Sequence, residues 1–250
     1  MALSRTQTLD WRLPDDTEES VVGTEWHQFA ISFVVSALRT YALDASLPWH
    51  VGHQLTLIGP GTSNTPWRPK PDISIHPTAG PAFREELDTR TEGLPALLVE
   101  VLSPSTWEYD TSLRPEGKAW GYLEVWRTAE YLVFDPHGTY VAEKCRGWRR
   151  QSGRLEPWRA GQNGRYESSL GVSFAADGTF LRAYDPQGQP MPFDFELSMQ
   201  LREERARLLD EQTRRITAEQ QAQAEQAARL AAEQRLAALE DELRRLRGSD

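Results

Sequence analysis

The chain is read as an α/β (α+β) protein in which helices flank a mixed sheet core and a long helix follows at the C-terminus. Three observations predict this. Short apolar runs with β-branched members at 51–58, 72–76, 97–102 and 130–134 are separated by helical patterns and turn residues. The aromatic residues, 9 Trp, 8 Phe and 7 Tyr, fall away after Phe195, so the hydrophobic core belongs to the first part of the chain. Beyond about residue 194 the composition turns to Glu, Gln, Ala, Arg and Leu with neither Gly nor Pro up to Arg247, the signature of one long helix.

The elements follow in order. Residues 1–20 are polar and proline-marked and read as an N-terminal arm; residues 21–190 form the main domain and 194–250 the terminal helix. Thr24 caps a helix to about Leu43, with Trp26, Phe29, Phe33, Val34, Ala37, Leu38 and Tyr41 on one face. Alternation from Val51 to Ile58 predicts an antiparallel strand, and residues 59–71 a Gly/Pro/Asn-rich loop. Strands follow at 72–76 and 97–102, separated by a charged, exposed loop, 77–95, a candidate lip facing the substrate. A helix over about 115–127 leads into the strand 130–134. Glycines at 147, 153, 161, 164, 171 and 178 then divide a meander of short strands. In the terminal helix, Leu197, Leu201 and Leu208 and then Leu236, Leu239, Leu243 and Leu246 have heptad-like spacing, while 213–228 is Gln/Ala-rich around Ile216. A coiled coil and a solvated single helix are both open on this pattern.

Bulk properties exclude several classes. With 250 residues and 39% hydrophobic content, the chain is long enough for one substantial core plus an appendage. It has no apolar stretch of the roughly 18 residues a membrane span requires and no basic-then-apolar leader. The single Cys145 excludes an internal disulfide framework, and the histidines at 27, 50, 53, 76 and 137 show no paired zinc-ligand spacing. These features predict a cytoplasmic protein with no membrane partner. The net charge of −9 (−7 over residues 1–195) points away from nucleic acid, although an arginine face can coexist with an acidic body. All cations but Lys70, Lys118 and Lys144 are arginines.

The chemistry concentrates in residues 71–136. Glu100 interrupts the apolar run Leu97-Leu98-Val99-Glu100-Val101-Leu102, where a carboxylate is rare unless paired or metal-bound. Asp72 follows Pro71 at the mouth of another apolar strand. Two carboxylates on neighbouring strands, with a lysine after them, make a small metal site with a cationic partner. For each residue a plainer role competes: a turn for Asp72, a buried ion pair to arginine for Glu100, an exposed helix lysine for Lys118.

The order Pro71-Asp72, Glu100-Val101-Leu102-Ser103-Pro104-Ser105-Thr106, Lys118-x-x-x-Tyr122 and Glu130-Tyr131-x-Val133-x-Asp135-Pro136 resembles the Uma2 family, a branch of the PD-(D/E)xK restriction-endonuclease-like superfamily. The resemblance covers roughly residues 15–185. The usual Glu-x-Lys ends here in Leu102, and the lysine is drawn from the following helix as Lys118. The resemblance implies a restriction-endonuclease-like core and a metal-dependent endonuclease that hydrolyses DNA phosphodiester bonds. Mg²⁺ or Mn²⁺ would be held by Asp72, Glu100 and the Val101 carbonyl, with Asp72, Glu100 and Lys118 catalytic. By position Glu25 is an accessory candidate on the first helix, with His27 near it, although the helix dipole explains a glutamate there equally well. Asp110 reads as a helix cap, with an accessory acid role as its alternative. Ser103 and Ser105 read as structural, and Tyr122 and Tyr131 as packing residues. A homodimer through residues 194–247 and the globular body is expected. The competing function is a catalytically inactive nuclease-like scaffold acting through its C-terminal coiled coil.

Overall fold

The computed structural model describes residues 25–61, 66–115 and 117–247; the side chains of residues 25, 26 and 242–247 fall outside the description, as do the predicted arm and the cap Thr24. In order, the elements are α1 (Glu25–Asp44), β1 (His50–His53), β2 (Thr56–Ile58), β3 (Ile73–His76), β4 (Glu86–Asp88), α2 (Thr89–Glu92), β5 (Leu97–Val101), α3 (Trp107–Thr111) and α4 (Lys118–Trp120), which continues as a π-helical turn, Gly121–Val125. Then come β6 (Glu130–Phe134), β7 (Cys145–Gln151), β8 (Arg154–Trp158), β9 (Tyr166–Glu167), β10 (Ser173–Asp177), β11 (Phe180–Tyr184) and α5 (Asp194–Arg247). The described residues divide into two compact units, one ending at Asp194 and the other beginning at Phe195.

In the first unit a six-stranded mixed sheet has the order β1-β3-β5-β6-β7-β8. Its centre is the parallel pair β5 and β6, with Glu100 beside Val133 and Val101 beside Phe134; the other pairings are antiparallel. All residues of β3, β5 and β6 are buried, which explains their nearly unbroken apolar sequences. The connection from β5 to β6 runs through α3 and α4, as a parallel pair requires a crossover. A second sheet has the order β11-β10-β9, and β2 pairs in parallel with β4.

Three local expectations change. The stretch 51–58 is two strands rather than one, because Gln54 takes a positive φ of 47° and turns the chain between β1 and β2. The loop 77–95 is not an open lip throughout. It contains β4 and α2, with Leu87 fully buried, and Arg84 fastens it through the Ala79, Gly80 and Ala82 carbonyls and an ion pair to Glu92 at 2.9 Å. Helix α1 buries Ala30, Ile31, Val34, Val35, Ala37, Leu38 and Ala42, so Val34, Ala37 and Leu38 of the predicted face lie in the core, whereas Phe29 is exposed and stacks on Phe33. Ala30, Ile31, Val35 and Ala42 widen the stripe beyond the predicted face, and Phe33 and Tyr41 are half-buried at its edge.

Candidate active site

Position 100 lies in the middle of the sheet, where β5 is flanked by β3 and β6. Asp72 immediately precedes β3, and the register of β3 against β5 (Ile73 opposite Val99) brings the two carboxylates to the same end of neighbouring strands. They interlock through the backbone. The Asp72 amide donates to Glu100 Oε2 at 3.3 Å, and the Val101 amide donates to Asp72 Oδ2 at 2.8 Å. Each carboxylate is therefore aimed by the strand that carries the other.

Lys118 closes the cluster from the first turn of α4. Its Nζ lies 2.8 Å from Glu100 Oε1 and 3.4 Å from Asp110 Oδ1, with only 14% of its side chain exposed. It is therefore not the exposed helix lysine that competed with the site reading. The buried-pair reading of Glu100 is right in kind, with lysine in place of arginine. Asp110 is not a cap: it lies inside α3, buried, and the N-cap position belongs to Thr106. Its carboxyl is turned inward, where Lys118 is its counter-ion. Helix α3 is held in turn by the Tyr131 hydroxyl, which donates to the Asp110 carbonyl at 2.7 Å.

Three more side chains reach the cluster. The Tyr122 hydroxyl donates to Glu100 Oε1 at 3.2 Å, so this tyrosine does more than pack. Lys118 and Tyr122, one helical turn apart, both address one oxygen. The π-turn that begins at Gly121, with the Trp126 amide donating to the Gly121 carbonyl, carries Tyr122. On the other side Gln54 Nε2 donates to Asp72 Oδ1 at 3.3 Å, and His27 Nε2 lies 3.5 Å from the same oxygen. Among the described side chains of α1, His27 is the one that meets Asp72; the side chain of Glu25 falls outside the description. Ser103 bonds Ser105 and Thr106 through hydroxyl oxygens, at 3.2 and 2.9 Å, as a structural turn would.

The electrostatics set this cluster apart from the other buried acids of the sheet. Burial works to raise the Asp72 carboxyl, but His27, the Val101 amide and the Lys118 charge outweigh it, and the group sits below the usual aspartate value. Burial drives Glu100 well above the ordinary glutamate value, with Lys118 opposing and Asp72 and Asp110 adding to the rise. Asp110 is likewise raised by burial against Lys118. Burial alone would lower Lys118, yet Glu100 and Asp110 raise it above its ordinary value. By contrast Glu130 is satisfied by Ser168 and the Ser169 amide, and Asp135 by the amides of His137, Gly138, Tyr140 and Val141. Those two acids are structural. In the cluster three carboxyl groups face one ammonium, and the raised Glu100 and Asp110 show that burying so many acids together favours taking up a proton or another cation.

The donor set is oxygen-rich and small. Among the described residues no group of three or more His, Cys, Asp or Glu side chains is arranged to hold a metal ion. Asp72 and Glu100 supply carboxylate oxygens, the kind of donor that a hard cation retaining most of its water takes. No described helix is long and apolar enough to cross a membrane.

A family model, Uma2, described as "Putative restriction endonuclease", matches residues 4–176, more than half of the chain. No curated protein matches. Among solved structures, the crystal structure of "a putative nuclease belonging to DUF820" from Anabaena variabilis ATCC 29413 is similar at 15% identity, over 56% of this chain and 71% of that chain, with a TM-score of 0.35.

Proposed function

Because the chain belongs to the Uma2 family, we propose that it is a Mg²⁺- or Mn²⁺-dependent endonuclease that hydrolyses DNA phosphodiester bonds, with Asp72, Glu100 and Lys118 as its catalytic residues. The observation that carries this reading is the interlock of Asp72 with Glu100 at one end of the sheet, with Lys118 2.8 Å from Glu100.

Asp72, Glu100 and the Val101 carbonyl would hold the ion, which when bound supplies Lewis-acid neutralisation of the phosphate charge. The chain's own residues do the rest. An ammonium carries three N–H donors; Glu100 lies 2.8 Å from Lys118 Nζ and Asp110 pairs with it only electrostatically at 3.4 Å, so donor capacity remains for a water or a scissile phosphate oxygen. Asp110 fixes the direction of that ammonium. Tyr122 and the Asp72 amide hold the two oxygens of Glu100 in place, while Gln54 and His27 hold Asp72 from the opposite side. Such preorganised donors need no rearrangement as charge develops on the phosphate. The same reading makes the chain a cytoplasmic homodimer, formed through residues 194–247 together with the globular body.

Plasmid, linear and single-stranded DNA incubated with the full chain, with and without Mg²⁺, test the proposal. Metal-dependent cleavage by the wild type, lost in Asp72→Asn and Glu100→Gln, is the expected result. Cleavage that survives Glu100→Gln would mean another site does the chemistry. No metal-dependent cleavage of any of the three substrates would leave the scaffold reading.

A further inference from the structure

Helix α5 runs unbroken for 54 residues, and every side chain from 197 to 241 is exposed. One heptad frame spans it: Leu201, Leu208 and Leu236 fall at a, and Leu197 and Leu239 at d. Within that seam the frame also places charges, Arg215 and Arg229 at a and Glu204, Glu211 and Glu225 at d. Ala218 and Ala222 lie between them, near the middle of the helix.

We infer that α5 pairs with α5 of a second copy in antiparallel orientation, with Ala218 opposite Ala222 of the other helix. The seam charges decide the direction. In a parallel pair each seam residue faces its own copy, so Arg215 and Arg229 would each meet arginine and Glu204, Glu211 and Glu225 would each meet glutamate. Like charges at five layers are repulsive where the seam excludes water. In the antiparallel register, a positions face d positions. Arg215 then meets Glu225, Arg229 meets Glu211 and Leu201 meets Leu239, each on the second copy. Leu208 lies opposite Ala232 and Leu236 opposite Glu204, a carboxylate that meets an apolar side chain there rather than its own like charge, and the facing alanines let the helices approach closely at the centre. Within a single helix Arg215 already reaches Glu211 at 2.7 Å, so pairing extends an existing ion pair into a four-residue network. A parallel pair would gain flanking Arg214–Glu219 and Arg235–Glu240 contacts, but exposed pairs of that kind contribute little and cannot offset five repulsive layers. The result is a coil about 80 Å long, at ~1.5 Å per residue, in which the two helices enter from opposite ends.

Leu201→Cys and a tagged Leu239→Cys full-length variant, mixed in a glutathione redox buffer, report the direction. Cys145 does not interfere, being buried with its thiol pushed up to about 12 by that burial. The expected product is the mixed 201–239 disulfide, in clear excess over both homodisulfides. A charge swap gives the independent readout. Arg215→Glu should weaken self-association by ~10-fold or more, about 1.4 kcal/mol, and adding Glu225→Arg should restore it. Dimers that form homodisulfides, or no disulfide at all, or that the second swap fails to rescue, overturn the orientation while leaving self-association standing. A monomeric mass at all concentrations overturns both. Neither readout consults cleavage, so the nuclease reading is tested separately.

Discussion

Tyr122 donates its hydroxyl to Glu100 at 3.2 Å, on the same carboxylate oxygen that Lys118 approaches to 2.8 Å. A fully buried phenol directed at a buried carboxylate fixes its rotation, since the second oxygen is already held by the Asp72 amide. Tyr122→Phe keeps the ring and removes only that donor. It should cost about 1 kcal/mol of stability and ~10–100-fold in metal affinity or cleavage rate. Tyr131→Phe is the control: its hydroxyl serves the Asp110 backbone carbonyl, so it should lose stability with little change in metal affinity. Equal Mg²⁺ titration curves for the two variants would show that the Tyr122 hydroxyl only packs.

Lys118 is the sole ammonium against two buried carboxylates within 3.4 Å, so its loss is structural as well as catalytic. Lys118→Ala should reduce turnover by orders of magnitude and also destabilise the fold by about 3–5 kcal/mol, the consequence of leaving a buried charge unpaired. Urea denaturation and cleavage rates measure the two effects. Adding Glu100→Gln to Lys118→Met, a partner of similar length, should recover much of the stability and none of the activity. Arginine at 118 should rescue activity poorly, because its planar fork does not fit where a compact point charge sits. Wild-type cleavage by Lys118→Ala, with Glu100→Gln inactive, would remove the lysine from the chemistry.

Glu100 was legible in the sequence because a carboxylate inside a buried apolar strand contradicts its surroundings, and the strands carrying it and Asp72 were legible for the same reason. The roles of Gln54, His27 and Tyr122 were not. Their contacts span 18, 45 and 22 residues and exist only once β1 is registered on β3 and α4 packs over β5. Tyr122 is the nearest to an exception, since Lys118 and Tyr122 stand four residues apart on one helical face. Asp110 was misplaced because an acid near a predicted helix start resembles a cap; its burial is a tertiary property. The long α5 was readable to its ends because nothing in its composition permits another structure.

Gly121 opens the π-turn beneath the site, and a Cβ there would lie 2.6 Å from the Trp67 ring. Trp67 packs on both Tyr122 and Trp126, with ring centroids 5.0 and 4.9 Å away, so it has little room to yield. Gly121→Ala should therefore destabilise by about 1–3 kcal/mol through overpacking, despite alanine's better helix propensity. Pairing it with Trp67→Leu should recover part of the loss. A melting temperature at or above wild type for Gly121→Ala would mean that the aromatic packing under Tyr122 is loose.

His76 makes acid stability predictable. It is 1% exposed, and burial, reinforced by the nearby His50 and Arg84, lowers its pKa from 6.5 to about 4. The unfolded chain therefore takes up a proton on this ring at a higher pH than the native protein does. A depressed folded-state pKa means that the neutral ring's contribution is fully present above 6.5 and is lost as the pH falls from 6.5 towards about 4. The shift of about 2.5 units, at roughly 1.36 kcal/mol each, sets the loss at about 3 kcal/mol across that window. His50 is also lowered by burial and will add in the same direction. The quantity to follow is thus the difference between wild type and His76→Asn in urea denaturation from pH 7.5 to 4.5. The variant should be less stable than wild type at pH 7.5, and the gap should narrow steadily below pH 6.5. A gap that stays constant across the range would show that His76 holds the same proton affinity folded and unfolded, and that its burial is relieved in solution.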